Sequence, residues 1–474
     1  MPTTSPILVW FRNDLRVHDH EALFKASQQT TQVVPLYIFD PRWFRSLELG
    51  FPKTGLLRTQ LLLQSVADLR QRLQQMGSEL LIRVGKPEDI IPNLAQHLQA
   101  QAVFTSEEVT SEEVNVDSLV ETRLQQQGIS MQFFWMATLF HHDDLPFDIE
   151  QLPDIFTEFR KKTERYAKVR ASYPVPTLLP LKVNVEAGPL PQLVDFGFEQ
   201  TSVSLLYQGG ETAALARLEE YFWKKDRLRL YKETRNEMLG LDFSSKFSVW
   251  LANGCLSPRY VYEQVKRYEH DRIANDSTYW LIFELLWRDY FRFVALKYGN
   301  NLFLPQGIKN DPRIKWQQNT HLFECWQQGH TGVPLIDANM RELAQTGFMS
   351  NRGRQNVANF LAKDLHLDWT WGAAWFESQL LDYDVCSNWG NWNYVAGVGN
   401  DPRENRYFNS YTQASRYDPA GAYVKHWLPE LEPVSAEKIH LTSLLTSQEQ
   451  QQFGIWLGVH YPKSLVNARK WLKA

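Results

Sequence analysis

The chain has 474 residues with a formal net charge of −4, 43% hydrophobic and 22% charged, which excludes a disordered chain and exceeds what one hydrophobic core organises, so two domains are expected. Its 17 Trp each need burial for the ring and a partner for the N–H, so a bound planar cofactor or a base-stacking surface is expected. Cys255, Cys325 and Cys386 show neither metal-like nor secreted spacing, the N-terminus lacks a signal-peptide pattern, and no window approaches the roughly 20 apolar residues of a membrane span, so a cytoplasmic protein with no membrane partner is expected.

Five short apolar runs, Ile7 to Phe11, Val33 to Phe39, Leu80 to Val84, Ala102 to Thr105 and Met131 to Trp135, alternate with helical patterns such as Leu56 to Met76. Runs that are apolar on both faces and separated by helices predict a doubly wound α/β domain with a parallel five-stranded sheet, over residues 1–145. The first turn reads Arg12-Asn13-Asp14-Leu15-Arg16, with no G-x-G-x-x-G, so this half is not expected to bind a dinucleotide. Glu107 and Glu108 follow the fourth run, where open parallel sheets hold ligands, and a pair of helix-start acids explains them equally well.

Residues 146–205 carry Pro146, Pro153, Pro174, Pro176, Pro180, Pro189 and Pro191 and read as a long linker. From there the patterns are helical, including Thr212 to Lys224, Tyr260 to Arg272, Ser277 to Lys297, Ile336 to Thr346 and Gln355 to Asp364. They predict an all-α second domain over 206–431, with a short extension over 432–474. Two basic stretches, Arg160 to Arg170 and Lys224 to Arg235, either follow a phosphate backbone or form solvated helix faces.

Four segments hold side chains suited to chemistry. Asp382-Tyr383-Asp384-Val385-Cys386-Ser387-Asn388-Trp389-Gly390-Asn391-Trp392-Asn393-Tyr394 has too many amides and acids for an amphipathic helix, so a polar, turn-rich segment against an aromatic ligand is expected; the alternative is an aromatic surface loop. Ser244-Ser245-Lys246-Phe247-Ser248 either holds phosphate or forms a plain serine cap. Trp280 to Arg292, read as a helix, sets Glu284 beside Trp287 or Arg288 and then Phe291 on one face, a surface able to read and stack on a base, or an ordinary core helix. Met349 to Asn356 packs guanidiniums and amides at a phosphate contact or a helix start.

Together with Trp10-Phe11-Arg12-Asn13-Asp14-Leu15-Arg16, these segments resemble the photolyase and cryptochrome family, up to about His426-Trp427-Leu428-Pro429-Glu430-Leu431. The string Gly397-Val398-Gly399-Asn400-Asp401-Pro402-Arg403-Glu404-Asn405-Arg406 resembles its DASH group. The resemblance implies a helical FAD-binding domain, with FAD contacted by Tyr231, Ser244, Ser245, Lys246, Phe247, Ser248, Glu284, Arg288, Arg354, Asp382, Tyr383, Asp384 and Asn388. Asn388 matches the residue facing flavin N5, and Trp392, Trp369 and Trp316 match an electron-transfer chain of three indoles. Glu284, Trp287, Asn351 and Asn388 match the catalytic pocket, and Arg235, Arg352, Gln355 and Tyr394 complete a surface for DNA carrying cyclobutane pyrimidine dimers. Glu108 matches a contact to a 5,10-methenyltetrahydrofolate antenna.

The activity so implied is blue-light-driven repair, by a monomer, of dimers in single-stranded or looped DNA. Gln355 and Tyr394 stand where the photolyases outside the DASH group carry Met and Trp. A photoreceptor or DNA-binding regulator without turnover is the rival reading; Glu284, Trp287 and the short stretch after Leu431 count against it.

Overall fold

Strands β1 (Ile7–Phe11), β2 (Val33–Phe39) and β4 (Ala102–Ser106) are buried along their whole length, whereas β3 (Leu81–Val84) and β5 (Ser130–Phe134) are partly open to solvent. The order is β3-β2-β1-β4-β5 with every pairing parallel, so the buried runs are the three inner strands. These coordinates come from a computed structural model that describes residues 3–180, 184–199, 204–403 and 406–472. Glu404 and Asn405, and residues 181–183 and 200–203 of the proline-rich stretch, lie outside the described residues.

Helices α1 (Glu21–Gln29), α2 (Leu56–Gln75), α3 (Pro87–His97) and α4 (Ser111–Gln125) connect the strands. Leu8, Trp10, Val34, Leu36, Ile38, Leu81 and Val103 form a core with Ile91, Val120 and Leu124, each fully buried aliphatic contributing roughly 1.5–3 kcal/mol. The order reverses between β1 and β4, where open sheets place ligands. There Arg12 ion-pairs with Asp117 at 2.7 Å and lies on the Trp10 ring.

The described chain divides into two compact units. The first is Met1–Lys232, Ser245–Asn300 and Leu381–Ser387; the second is Glu233–Ser244, Asn301–Leu380 and Asn388–Ala474. Besides the sheet, the first holds α5 (Phe156–Tyr166), α6 (Glu211–Glu219), α7 (Tyr231–Thr234), which runs on into the second unit, α8 (Ser248–Ala252), α9 (Pro258–Asp271) and α10 (Asp276–Tyr298). The proline-rich stretch therefore contains a helix, α5, whose Phe156 and Phe159 are buried. Gly254 has φ +66, and a Cβ there would lie 2.0 Å from the Asn13 carbonyl oxygen, so only glycine lets the turn after β1 approach this closely.

The second unit holds α11 (Thr320–Gln327), α12 (Pro334–Thr346), α13 (Asn351–Asn359), α14 (Trp369–Gln379), most of α15 (Val385–Ala396), α16 (Ser410–Tyr417), α17 (Ala422–Trp427) and α18 (Ser447–Phe453). Leu335, Ala338, Tyr423, Leu428, Leu431, Ile439 and Tyr461 share one core, so residues beyond Leu431 are packed into the unit. Tyr461 donates its hydroxyl to the buried Asp337 at 2.5 Å.

Helix α15 overturns the expectation of a turn-rich segment. Cys386, Asn388, Gly390, Trp392, Asn393, Val395 and Ala396 are buried while Asn391 is exposed, so the buried side itself carries two amides and a glycine and shows no apolar stripe. Its amides are satisfied internally: Asn393 donates to the Leu302 and Trp389 carbonyls at 2.8 and 2.9 Å and accepts from the Ile308 N–H at 3.1 Å.

Candidate functional site

Helix α10 carries the first group of side chains. Asn275 caps it, accepting from the N–H groups of Ser277 and Thr278, and the 3.6-residue repeat then sets Glu284, Arg288 and Arg292 one turn apart along one face. Trp287 stacks on Phe156 with centroids 3.6 Å apart and planes 9° from parallel, so α5 holds the indole. Arg288 donates to the carbonyls of Ala137 and Leu251 and ion-pairs with Asp384 at 3.3 Å.

Asp384 accepts from the Ser387 N–H at 2.8 Å. Burial alone would raise its carboxyl; Arg288, the Ser387 N–H and Arg292 outweigh burial and hold it below the ordinary carboxylate range. Asp382 is buried beside it in sequence, and Tyr383 lies under the Arg58 guanidinium at 4.3 Å. Asp289, the residue after Arg288 on α10, accepts the N–H groups of Leu139 and Phe140, both at 2.9 Å. Burial nevertheless pushes its carboxyl up to about 7.

Arg292 is the partner missed in the sequence, although its spacing of four from Arg288 was a usable signal. It pairs with Glu108 at 2.8 Å and donates to the Glu107 carbonyl, so one Glu108 oxygen is already engaged.

The serine-rich segment contributes buried Ser245, Lys246 and Phe247 and exposed Ser248. Arg217 donates to the Ser245 carbonyl at 3.1 Å, and Lys246 takes a left-handed φ of +62. Phe247, which packs beside Tyr221 and Phe222, is the residue before α8, and no side chain caps that helix. Tyr231 is buried at the start of α7. Ser244 belongs to the second unit, in the loop that Thr234 closes by donating to the Phe243 carbonyl.

In the second unit, Asn388 donates its amide N–H to the Ala373 carbonyl at 3.1 Å, which leaves its side-chain oxygen for another partner. One turn on, Trp392 is 2% exposed, and its Nε1 has no hydrogen-bond partner among the described residues. A Cβ on Gly372 would meet its ring at 2.3 Å, so that glycine admits the indole. Trp369 is fully buried and Trp316 half-buried.

Helix α13 starts at Asn351, which is exposed, with Ser350 accepting the Gly353 N–H at 3.0 Å. Arg352 and Gln355 bond to each other, Arg352 reaches Asn236, and Arg354 donates to the Met349 carbonyl at 3.0 Å. Burial first, then the cations Arg235, Arg416 and Arg406, lower the Arg352 pKa, so four arginines concentrate positive charge here. Arg406, itself ion-paired with Asp401 at 2.5 Å, lies on the Tyr394 ring at 4.8 Å and donates to its hydroxyl. No spacing rule in the sequence announces the clamp of Asp401 and Arg406 on Tyr394.

Each unit by itself holds groups whose chemistry suits a flavin nucleotide. In the first, the uncapped start of α8 suits phosphate and the Arg288–Asp384 pair offers a fixed acceptor and donor; in the second, the orphaned Trp392 N–H is a group that a heteroaromatic ligand can satisfy. No helix is long and apolar enough to cross a membrane, among the described residues.

Comparison with known proteins bears on this set. Residues 7–179 match the family model described as DNA photolyase, and residues 280–474 match that of the FAD binding domain of DNA photolyase. The chain is similar to the cryptochrome DASH of Gloeobacter violaceus, 55% identical over 98% of this chain and 94% of that one. The solved structure of a Synechocystis cryptochrome superimposes with a TM-score of 0.95 at 52% identity, covering 100% of this chain and 99% of that one. A class III photolyase from Agrobacterium tumefaciens gives 0.87 at 28% identity, covering 100% and 96%.

Proposed function

This chain belongs to the photolyase and cryptochrome family, in its cryptochrome DASH group, and from that premise we propose that it is a blue-light-driven lyase acting on cyclobutane pyrimidine dimers in single-stranded or looped DNA. The observation that carries the reading is the face of α10, where Glu284, a Phe156-backed Trp287 and the Asp384-paired Arg288 follow within five residues. A carboxylate beside a braced indole is what a flipped pyrimidine needs, a hydrogen-bond partner for its edge and a surface for its ring.

Reduced FAD, when bound, supplies the light-excited electron donor for a reaction that breaks two C–C bonds with no net redox change. The chain's own residues hold and orient. Tyr231, Ser244 to Ser248, Arg354, Asp382, Tyr383 and Asp384 bind the cofactor, while Asn388, fixed by Ala373, presents a neutral amide oxygen toward its N5. Trp392, Trp369 and Trp316 conduct electrons inward. Asn351, Arg352, Arg235, Gln355 and Tyr394 meet the DNA, its phosphates drawn by the arginine concentration around Arg352. Glu108 contacts a 5,10-methenyltetrahydrofolate antenna through the oxygen that Arg292 leaves.

On this reading residues 1–145 form the antenna domain, 146–205 the linker, 206–431 the FAD-binding catalytic domain and 432–474 an extension, in a cytoplasmic monomer. The test is illumination of purified protein with a reductant and thymine-dimer oligonucleotides, single-stranded and duplex, counting restored thymines. Restoration in the single strand is expected; restoration in neither would favour a photoreceptor or DNA-binding regulator.

A further inference from the structure

Arg352 and Gln355 sit three residues apart on α13, close enough to pair along one helix face. Arg352 Nη1 donates to Gln355 Oε1 at 2.8 Å. A guanidinium has five N–H donors and no acceptor, so the amide atom turned to it has to be the oxygen, because an NH₂ there would set donor against donor. Arg352 is itself held: Nη2 lies 3.4 Å from Asn236 Oδ1, and the Tyr417 ring lies 4.5 Å from the guanidinium carbon. With its oxygen taken, Gln355 has an NH₂ group to offer a ligand.

We infer that Arg352 is a positioning residue that makes Gln355 a hydrogen-bond donor to the lesion, so that the site selects dimers whose base edges carry carbonyl oxygens, thymine or uracil, over those carrying the cytosine amino group. The inference rests on the proposed placement of Gln355 against the dimer. Thymine and uracil present a carbonyl oxygen where cytosine presents N–H. An amide NH₂ facing that position gains a bond in the first case and leaves two unpaired donors in the second.

Binding in the dark isolates this choice from turnover. Fluorescence anisotropy of the FAD-loaded protein is measured with single strands holding a thymine–thymine dimer or a thymine–cytosine dimer, cytosine at either position. The thymine–cytosine strand is then remeasured after deamination to thymine–uracil, which exchanges the amino group for a carbonyl. We expect the cytosine dimer to bind about tenfold more weakly at one of its two positions and deamination to restore affinity. Gln355→Glu keeps an acceptor for Arg352 and turns an oxygen outward, so the Kd ratio should invert to favour cytosine even if overall affinity falls. Arg352→Met frees the amide to turn, and the ratio should approach one.

Equal Kd for both dimers with the unmodified protein, or discrimination that survives Arg352→Met, would overturn the inference alone. Loss of any preference for dimer-containing over undamaged strands would remove the proposed function and this inference with it.

Discussion

Trp316 and Trp369 donate their indole N–H groups to one acceptor, the carbonyl oxygen of Pro305, at 2.8 and 2.9 Å. A half-buried indole and a fully buried one are thereby pinned side by side, and the acceptor is too weak a base to remove a proton from either ring. That fixed geometry is what the proposed electron-transfer role of the pair requires.

Replacing Trp392 with Phe keeps a ring in the space beside Gly372 and removes the readily oxidised indole. Flavin content should be unchanged while light-driven flavin reduction by an external thiol falls to the dark level, with the same result for Trp369→Phe. Repair started from chemically reduced flavin should persist. Reduction at the unmodified rate in either variant would show that electrons arrive by another route.

Arg288→Ala would leave the part-buried Asp384 without its nearest cation. Removing one partner of a fully buried pair costs about 3–5 kcal/mol, an upper bound for a pair that water partly reaches. The variant should lose stability and retain little FAD after gel filtration, with Arg288→Lys intermediate. Full FAD retention by Arg288→Ala would mean that Asp384 is held by its other contacts.

Glu284→Ala separates the pocket from the cofactor site. A base edge left without its partner costs about 1–3 kcal/mol, so dimer affinity should fall by roughly five- to 150-fold while the bound FAD spectrum is unchanged. Parallel loss of flavin and dimer binding would make Glu284 a structural residue.

Asp289 couples stability to pH. Burial raises its carboxyl from 3.8 to about 7 in the folded protein, so the folded state keeps a proton that the unfolded chain has released. The stabilisation is complete below the unfolded value and is lost as pH rises toward 7. Against Asp289→Asn, which cannot ionise, the native chain should lose up to about 4 kcal/mol of relative stability between pH 4 and 8. Thermal midpoints of both proteins across that range measure it, and a constant difference would place the titration elsewhere.

The polarity of Gln355 and Tyr394 bears on which DNA is repaired. Each additional 40 Å² or so of apolar contact contributes about 1 kcal/mol, enough to offset part of the unstacking cost in a duplex. Gln355→Met with Tyr394→Trp should therefore raise duplex affinity by a net few-fold, the apolar gain exceeding the hydrogen bond that Gln355 no longer donates to the lesion, even though both changes release the arginines that now hold these side chains. Unaltered duplex binding in the double variant would refute pocket polarity as the cause of a single-strand preference.

The strands and most long helices were legible in the sequence because each repeats on a local period, alternating buried runs in the sheet and a turn-by-turn face on α10. Family motifs, also local strings, marked Glu284, Asn388 and the three tryptophans without any knowledge of their neighbours. The sequence predicts turns over helix α15 because its buried side mixes the amides Asn388 and Asn393 with Trp392 and Val395, which removes the apolar stripe that announces a helix. Tertiary structure alone decided the pairings. Trp316 and Trp369 lie 53 residues apart yet share Pro305, Arg292 meets Glu108 across 184 residues, and Asn236 steadies Arg352 across 116. Such contacts leave no period in the chain, since they form only when packing brings separate elements together, and they determine which atom of each marked residue is left to face a ligand.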